Sequence, residues 1–355
     1  MFAIKLFGAN DVRLVECEIP KIEEEEILVK TCVAAICGSD LRMIKNGYQG
    51  VDEEHPLILG HEISGEIVKV GEKVSYYKEG MQVVIAPNFG CGECDFCQEG
   101  NSHLCSNYQA FGINIDGGFA EYVRIPKEAV RQGNVICIDE KTTMRAAALV
   151  EPAACVLNGQ EKIEIHEKDC VLIVGAGPIG VLHAMLAKAQ GAHKIIVSDL
   201  SRDRLNRAAK AASFIITATP ERAADIIDKE SNGKGVDVCI TACASKDVQE
   251  KTFSIMNTKG RILFFGGLPK NKDEIKVHSN LLHYKELKLC GSTRCSVNQC
   301  KKIYEMVKEG QLSLEDLITK EFAVHNFLEA FAYAESAVGL KTIICLEKKC
   351  KKEEQ

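Results

Sequence analysis

Four cysteines lie close together in the sequence, with a spacing that suits a metal ion. Cys91, Cys94, Cys97 and Cys105 form a C-x2-C-x2-C-x7-C pattern within a glycine-rich stretch. A loop with this spacing can wrap four thiolates around a tetrahedral Zn²⁺, and it leaves no coordination position open for a reactant. The pattern therefore predicts a structural zinc site, with an iron–sulfur cluster or four reduced thiols as the alternatives.

A second motif predicts a dinucleotide site. Residues 175–180 read G-A-G-P-I-G, follow an apolar strand-like run and precede an amphipathic helix. Gly175 permits the tight turn, Gly177 lets a pyrophosphate approach the backbone, and Gly180 lets the helix pack on the strand. The N terminus of the helix, where Pro178 is well tolerated, offers free N–H groups to phosphates. An α/β unit that binds no nucleotide is the alternative.

Asp199 stands at the end of the next predicted strand, nineteen residues after Gly180. A carboxylate there can accept hydrogen bonds from the hydroxyls of an adenosine ribose, and it repels a 2′-phosphate. The sequence therefore favours NAD over NADP. Arg202 and Arg204 lie close by and keep NADP as the alternative.

The elements that must position these motifs differ between the two parts of the chain. Through about residue 150, short apolar runs such as ILVKTCVAAI and EISGEIVKV are separated by Gly, Asn and Pro, which predicts strands. From about residue 168, strand and helix patterns alternate, which predicts a parallel, doubly wound sheet. A further helix and the closing strand KTIICLE follow residue 296. The fold class is therefore α/β with a mostly-β first part.

Length and composition fit a globular protein of two domains. The chain has 355 residues, of which 46% are hydrophobic and 26% charged, with a net charge of −6. This charge argues against nucleic acid as the main partner, and no apolar run reaches the roughly 18–20 residues that cross a bilayer. Seventeen cysteines, an odd number without an apolar export signal before them, argue against a disulfide framework. We expect a cytoplasmic protein.

A scattered set of possible ligands remains: Cys37 in ICGSD, His61 and Glu62 in LGHE, and Glu151 in VEP. Spacing alone does not join them, because a lone Cys or a His beside a Glu is more often structural. Together with the other motifs, however, they resemble the zinc-dependent medium-chain dehydrogenase/reductases, in particular the sorbitol (polyol) dehydrogenase branch. The resemblance covers essentially the whole chain, from ICGSD through GHEISGEIVKVG, the four cysteines, DGGFAEY, VEPAAC and VLIVGAGPIG to KTIICLE.

The resemblance implies a GroES-like catalytic domain at about residues 1–153 and 291–355, with a structural zinc lobe at 88–108. A Rossmann NAD-binding domain at residues 154–290 is inserted between these two segments. The resemblance also implies a catalytic zinc bound by Cys37, His61, Glu62 and Glu151, the carboxylates either directly or through water. On the same resemblance, we expect Asp40 to orient the imidazole of His61, and Ser39 stands where the proton relay of the family begins.

The implied reaction oxidises a secondary alcohol of a polyol or sugar alcohol to the ketone. Zinc lowers the pKa of the hydroxyl, and a hydride passes to C4 of the nicotinamide. The implied cofactors are two Zn²⁺ per chain and NAD. The cofactor contacts that we predict are Gly175, Gly177, Pro178, Ile179, Gly180, Asp199, Arg204, Gly266, Leu268 and Lys341. Relatives are dimers or tetramers, so we expect a homodimer or homotetramer with a small-molecule substrate, and no nucleic-acid or membrane partner.

Two arginines leave the identity of the substrate undetermined by the sequence. Arg42 replaces a His that polyol dehydrogenases often carry in CGSDxH, and Arg294 falls in a segment that reaches the active site in relatives. Because a guanidinium pairs well with a phosphate, a sugar-alcohol-phosphate dehydrogenase, acting on a galactitol or arabitol phosphate for example, is one alternative. L-Threonine 3-dehydrogenase is another. A third alternative, from a different functional class, is a relative that binds NAD(H) without catalysing a reaction. The complete set of predicted zinc ligands argues against this alternative.

Overall fold

The chain folds into two units, as a computed structural model that describes residues 1–347 shows. Residues 1–154 and the segment from residue 295 onward form the first unit, and residues 155–294 form the second. Within the described residues, no helix has both the length and the apolar character that crossing a bilayer requires.

The first unit is built mainly of short strands. Before residue 154 these are β1 (Phe2–Gly8), β2 (Asp11–Glu16), β3 (Ile27–Ala35), β4 (Leu57–Ile58), β5 (Glu62–Val70), β6 (Gln82–Ile85), β7 (Asn88–Phe89), β8 (Gln109–Ala110), β9 (Tyr122–Ile125) and β10 (Val135–Cys137). The helices among and after them are α1 (Gly38–Asn46), α2 (Asp95–Gln98), α3 (Lys127–Arg131), α4 (Met144–Ala148) and α5 (Val150–Glu161), the last of which continues into the second unit.

The second unit alternates strands and helices. Its strands are β11 (Cys170–Val174), β12 (Lys194–Ser198), β13 (Ile216–Ala218), β14 (Val236–Thr241), β15 (Met256–Phe264) and β16 (Lys288–Gly291). Its helices are α6 (Pro178–Ala189), α7 (Arg202–Ala211), α8 (Pro220–Ser231), α9 (Lys246–Ile255) and α10 (Ser279–Tyr284). The strands pair in parallel in the order β13-β12-β11-β14-β15-β16, which is the doubly wound sheet that the sequence predicts.

The C-terminal segment returns to the first unit. It consists of α11 (Val297–Lys308), β17 (Ile318–Ala323), α12 (Phe327–Ser336) and β18 (Lys341–Cys345). β18 pairs antiparallel with β3, so the main sheet of this unit runs β10-β6-β5-β3-β18-β17, with β9 also on β3. This sheet therefore joins the beginning of the chain to its end and brings residues near 36, 62 and 341 to one place.

Nearly continuous apolar runs along the central strands build the cores. In the first unit, one core cluster contains Ile63, Ile67 and Phe111, and a second contains Ile4, Phe119 and Ile344. The core of the second unit lies on its parallel sheet, around Leu172 and Ile196. Since these side chains are almost fully buried, the strand ends that carry the candidate site are held on rigid sheets.

Polar side chains fix where the helices begin. Ser201 accepts a hydrogen bond from Arg204 N at 3.3 Å, and Ser296 and Gln299 form a capping box at the start of α11. Pro178 occupies the first turn of α6, where no hydrogen-bond partner is lost.

Candidate active site and cofactor site

Cys37 and His61 are far apart in the sequence, and an antiparallel strand pair brings them together. β3 ends at Ala35, which pairs with Glu62, the first residue of β5. Cys37 caps α1 just beyond β3, and His61 directly precedes β5. Gly60 before them has a φ of +91°, and a Cβ there would lie 2.8 Å from the ring of Phe119, so the turn requires glycine.

Cys37, His61 and Glu62 form a cluster whose ligand atoms all lie within 4.8 Å of one another. Nδ1 of His61 lies 3.5 Å from Oδ1 of Asp40, and Nε2 lies 3.3 Å from Oγ of Ser39. Burial opposes the charge of His61, but the charges of Asp40 and Cys37 outweigh it and raise the pKa of His61 well above its ordinary value. Asp40 also accepts a hydrogen bond from Cys37 N at 2.9 Å, so one buried carboxylate positions both residues.

Lys341, which the sequence analysis predicts as a cofactor contact, has partners within the protein. It is almost fully buried, and its Nζ donates to Oε1 of Glu62 at 2.7 Å and to the carbonyl of Ile36 at 2.8 Å. Burial opposes the charge of Lys341, yet the charges of Glu62 and Cys37 raise its pKa. The contact of Lys341 with the cofactor stays a prediction, while the described contacts make Lys341 the counter-ion of Glu62.

Glu151 lies outside the cluster of Cys37, His61 and Glu62. It is buried in the first turn of α5, and its Oε1 lies 4.0 Å from Sγ of Cys295. Its charge nevertheless contributes to the raised pKa of Lys341, so the ammonium group of Lys341 senses both glutamates. The structure therefore brings three of the four predicted catalytic ligands together and places the fourth carboxylate beside Cys295.

The donor set of this cluster fits a zinc ion. Thiolate, imidazole and carboxylate are the ligands that zinc prefers, and three of them leave a fourth position for water or substrate. Both oxygens of the buried Glu62 face Nζ of Lys341, Oε1 at 2.7 Å and Oε2 at 2.5 Å, so a zinc ion at this cluster would share the carboxylate with the ammonium group. Asp40 behind His61 is the kind of carboxylate that orients a ligating imidazole.

The four cysteines of the predicted structural site also fit zinc. Sγ of Cys97 lies 3.5 Å from Sγ of Cys94 and 4.0 Å from Sγ of Cys91, and a tetrahedral zinc with bonds of about 2.3 Å separates its sulfurs by about 3.8 Å. Backbone N–H groups of Glu93 and Cys94 lower the pKa of Cys91 to about 6. Burial raises the pKa of Cys97 to about 12. The pKa values of these two neighbouring thiols are thus shifted in opposite directions. A cation among the sulfurs lowers the pKa of all four cysteines, because it favours the thiolate form.

The backbone before this lobe is held tightly. A Cβ on Gly90 would lie 2.5 Å from Sγ of Cys97 and 2.7 Å from Cβ of Cys105, so only glycine fits against the cluster. The side-chain amide of Gln132 accepts from Gly90 N at 3.2 Å and donates to Gly90 O at 2.8 Å. These contacts position the lobe relative to the strands of the first unit.

The glycine loop of the second unit has the geometry that a pyrophosphate site needs. Gly175 has a φ of +117°, and a Cβ on Gly180 would lie 1.8 Å from the carbonyl oxygen of Gly175. Gly177 caps α6 and has open space where its Cβ would stand, and Pro178 follows it. The loop follows β11, at the point of the sheet where the strand order reverses, which is where such sheets bind ligands.

Asp199 is tied to the glycine loop. Its Oδ2 accepts from Ala176 N and its Oδ1 from Ser201 N, both at 2.8 Å. Nη1 of Arg204 lies 3.9 Å from Oδ2. A carboxylate has about four acceptor sites, so Asp199 retains capacity for two ribose hydroxyls.

The remaining predicted cofactor residues lie after β15 and in the first turn of α6. A Cβ on Gly266 would lie 2.6 Å from the carbonyl oxygen of Cys243, so the backbone after β15 passes close to the backbone that follows β14. Ile179 in the first turn of α6 and Leu268 after β15 are both half-buried.

Comparison with known proteins gives two matching family descriptions. Residues 23–134 match the alcohol dehydrogenase GroES-like domain, and residues 178–309 match the zinc-binding dehydrogenase domain. The chain is 31% identical to the sorbitol dehydrogenase of Bombyx mori, over 97% of this chain and 98% of the relative. The chain belongs to the zinc-dependent medium-chain dehydrogenase family, in its sorbitol dehydrogenase-like branch.

Two further comparisons place this medium-chain dehydrogenase among its relatives. It is 31% identical to the L-threonine 3-dehydrogenase of Pyrococcus furiosus, over 96% of both chains. Its fold matches a crystal structure of the alcohol dehydrogenase rspB of E. coli CFT073 in complex with NADH. That match has a TM-score of 0.87 and 26% identity, over 98% of this chain and 99% of the other. The protein is therefore a zinc-binding oxidoreductase with a nicotinamide cofactor.

Some residues of this dehydrogenase that shape the site carry no sequence signal. Cys295 lies beside Glu151, and Asn88 donates to the carbonyl oxygen of Cys295 at 3.1 Å. Neither belongs to a motif, and only the folded chain brings them together. The two arginines singled out above are both exposed, Arg42 on α1 and Arg294 in the left-handed conformation with a φ of +55°.

Proposed function

We propose that this protein is an NAD-dependent polyol dehydrogenase with two zinc ions per chain, which oxidises a secondary alcohol to the ketone. The observation that carries the proposal is the cluster of Cys37, His61 and Glu62, whose three donor types lie within 4.8 Å of one another. A bound zinc supplies a Lewis acid that lowers the pKa of an alcohol, and NAD accepts the hydride.

The residues of this chain then have distinct roles. Asp40 and the backbone around Cys37 hold two ligands in place, and the strand pair β3–β5 fixes their separation. Ser39, whose Oγ lies 3.3 Å from Nε2 of His61, is placed to take the hydroxyl proton of the substrate. Lys341 is the counter-ion of Glu62 in its buried position, since an ammonium group at 2.7 Å offsets part of the cost of burying the carboxylate.

NAD rather than NADP is the proposed cofactor. The carboxylate of Asp199 stands at the end of β12, with one oxygen bonded to the glycine loop and the other to Ser201 N. A 2′-phosphate on the ribose places two negative charges against this carboxylate, whereas two hydroxyls donate to it. Arg204, at 3.9 Å, offsets only part of the negative charge.

The experiment that tests the function is an NADH-formation screen with zinc-loaded protein over polyols, polyol phosphates and L-threonine. Oxidation of a polyol to its ketose supports the proposal. Exclusive oxidation of threonine supports the alternative that its relatives suggest. NADH binding without turnover on any alcohol identifies a non-catalytic relative. The homo-oligomeric state expected above is checked in the same preparation by light scattering.

A further inference from the structure

One face of α1 leads away from the candidate zinc site and is open to solvent. Gly38, Arg42 and Lys45 are exposed and Ser39 is half-buried, while Asp40 and Met43 face the core. We call the four residues Gly38, Ser39, Arg42 and Lys45 the α1 face. Their spacing of three to four residues places them along one side of the helix.

This α1 face begins at the reacting end of the site. Ser39 lies 3.3 Å from His61, and Arg42 follows about 4.5 Å further along the helix axis. Helical side chains lean toward the N terminus of their helix, so Arg42 leans toward Gly38 and Ser39. A Cβ on Gly38 would meet nothing within 4 Å, so the space beside Arg42 at that turn is open.

The cations of the α1 face have no partner within residues 1–347: neither Arg42 nor Lys45 makes a hydrogen bond or ion pair there. The carboxylate on the same helix, Asp40, is buried and already engaged by Cys37 N. Arg124, by contrast, donates to both oxygens of Glu26. The α1 face therefore presents two uncompensated positive charges beside the place where the alcohol must bind.

We propose that the α1 face binds an anionic substituent of the substrate, so that the preferred substrate is a polyol that carries a phosphate monoester or a carboxylate. This inference rests on the proposed function, because the alcohol itself must bind at the cluster of Cys37, His61 and Glu62. A guanidinium donates two parallel hydrogen bonds to either anion, and Lys45 adds a second charge one turn further on. Arg42 is thus a specificity-determining residue.

The test compares three substrates that share a hydroxylated six-carbon chain and differ in the group at one end: sorbitol (a hydroxyl), sorbitol 6-phosphate (a phosphate monoester) and gluconate (a carboxylate). For the wild type, we expect kcat/KM to favour one of the anions over sorbitol by about 10-fold or more. Arg42→Met should reduce this preference by about 10- to 100-fold, mainly through KM for the anion, and Arg42→Lys should restore part of it. Arg131→Met, a surface arginine paired with Glu25, is the matched control and should leave the ratio unchanged. A preference for the phosphate or for gluconate identifies which anion is bound.

Three outcomes overturn the inference. If the wild type oxidises sorbitol but neither anion, the inference fails while the proposed function stands. If Arg42→Met lowers kcat/KM equally for all three substrates and weakens NADH binding, Arg42 contacts the cofactor instead. If the wild type oxidises no alcohol but binds NADH, the proposed function and the inference fail together.

Discussion

Nζ of Lys341 lies 2.7 Å from Oε1 and 2.5 Å from Oε2 of Glu62, and neither side chain is more than 4% exposed. Glu62 follows a predicted zinc ligand at the start of β5, while Lys341 opens β18 near the end of the described chain. This buried pair ties β18, which lies between β3 and β17 in the sheet, to the candidate metal site.

Breaking this pair should destabilise the zinc-loaded protein strongly. Lys341→Met leaves the carboxylate of Glu62 buried without its counter-ion, which costs about 3–5 kcal/mol of unfolding free energy. Urea unfolding measures this loss. Lys73→Met is the control, since Lys73 and Glu24 are mostly exposed and such a pair contributes about 0–1 kcal/mol. Equal shifts of the urea midpoint for the two variants contradict a buried, stabilising pair.

His183 should make stability depend on pH in the acidic range. It is fully buried in α6, and burial lowers its pKa from 6.5 to about 3. The unfolded chain therefore binds a proton below about pH 6.5 that the folded chain does not bind until about pH 3. Its contribution is thus fully present above pH 6.5 and is lost as the pH falls, by about 1.4 kcal/mol per pH unit.

The measurement is the free energy of unfolding between pH 6 and pH 4 for the wild type and for His183→Asn. Asn can still accept the hydrogen bond that Gln160 makes to Nδ1 at 3.1 Å, but it does not titrate. For His183→Asn, the unfolding free energy should therefore change less steeply with pH, by about 1.4 kcal/mol per pH unit, because one proton fewer is taken up on unfolding. His193→Asn, at an exposed position, should retain the wild-type slope. Parallel slopes for wild type and His183→Asn show that His183 is charged in the folded protein.

The cysteine lobe should hold one of two zinc ions. Elemental analysis of the wild type should give two zinc ions per chain, and Cys94→Ser should give one, with lower thermal stability. Gly90→Ala should have a similar effect, because its Cβ would lie 2.5 Å from Sγ of Cys97. Gly291→Ala, which meets nothing within 4 Å, is the control. If the wild type holds only one zinc ion and Cys94→Ser still holds it, the four cysteines do not bind zinc.

Asp199 should set the cofactor preference. We expect the wild type to bind NADH at least tenfold more tightly than NADPH, a difference of about 1.4 kcal/mol. Asp199→Asn removes the charge but retains an oxygen for one of the two backbone N–H groups, so it should narrow this gap without unfolding the loop. Asp203→Asn, an exposed residue of α7, is the control. Fluorescence titration measures both dissociation constants, and a tenfold preference of the wild type for NADPH contradicts the assignment.

Local patterns predicted much of this fold because they depend on neighbouring residues. The glycine loop, the strand before it and the alternating strands and helices after it lie where the sequence patterns predicted them. Helices α8 and α12 were not predicted, although Pro220 at the start of α8 and Asn232 at its end are ordinary helix signals.

The contacts that escaped prediction are those between distant segments. Lys341 and Glu62 are 279 residues apart, and Cys295 and Glu151 are 144 residues apart. The pairing of β18 with β3 sets the first contact, and no spacing rule reaches that far. The family resemblance named the ligand residues, whereas only the folded chain shows that Lys341 neutralises one of them.

The measurement that tests the central claim most directly is deuterium transfer from a polyol labelled on its secondary carbinol carbon to NAD. Zinc-loaded wild type should give deuterated NADH and ketone in equal amounts by mass spectrometry. His61→Ala, which lacks one donor of the cluster, should lose this transfer by about 100-fold or more while it still binds NADH, and exposed His193→Ala should behave as wild type. Undiminished transfer by His61→Ala, or no transfer by the wild type from any alcohol tested, contradicts a hydride-transfer site at Cys37, His61 and Glu62.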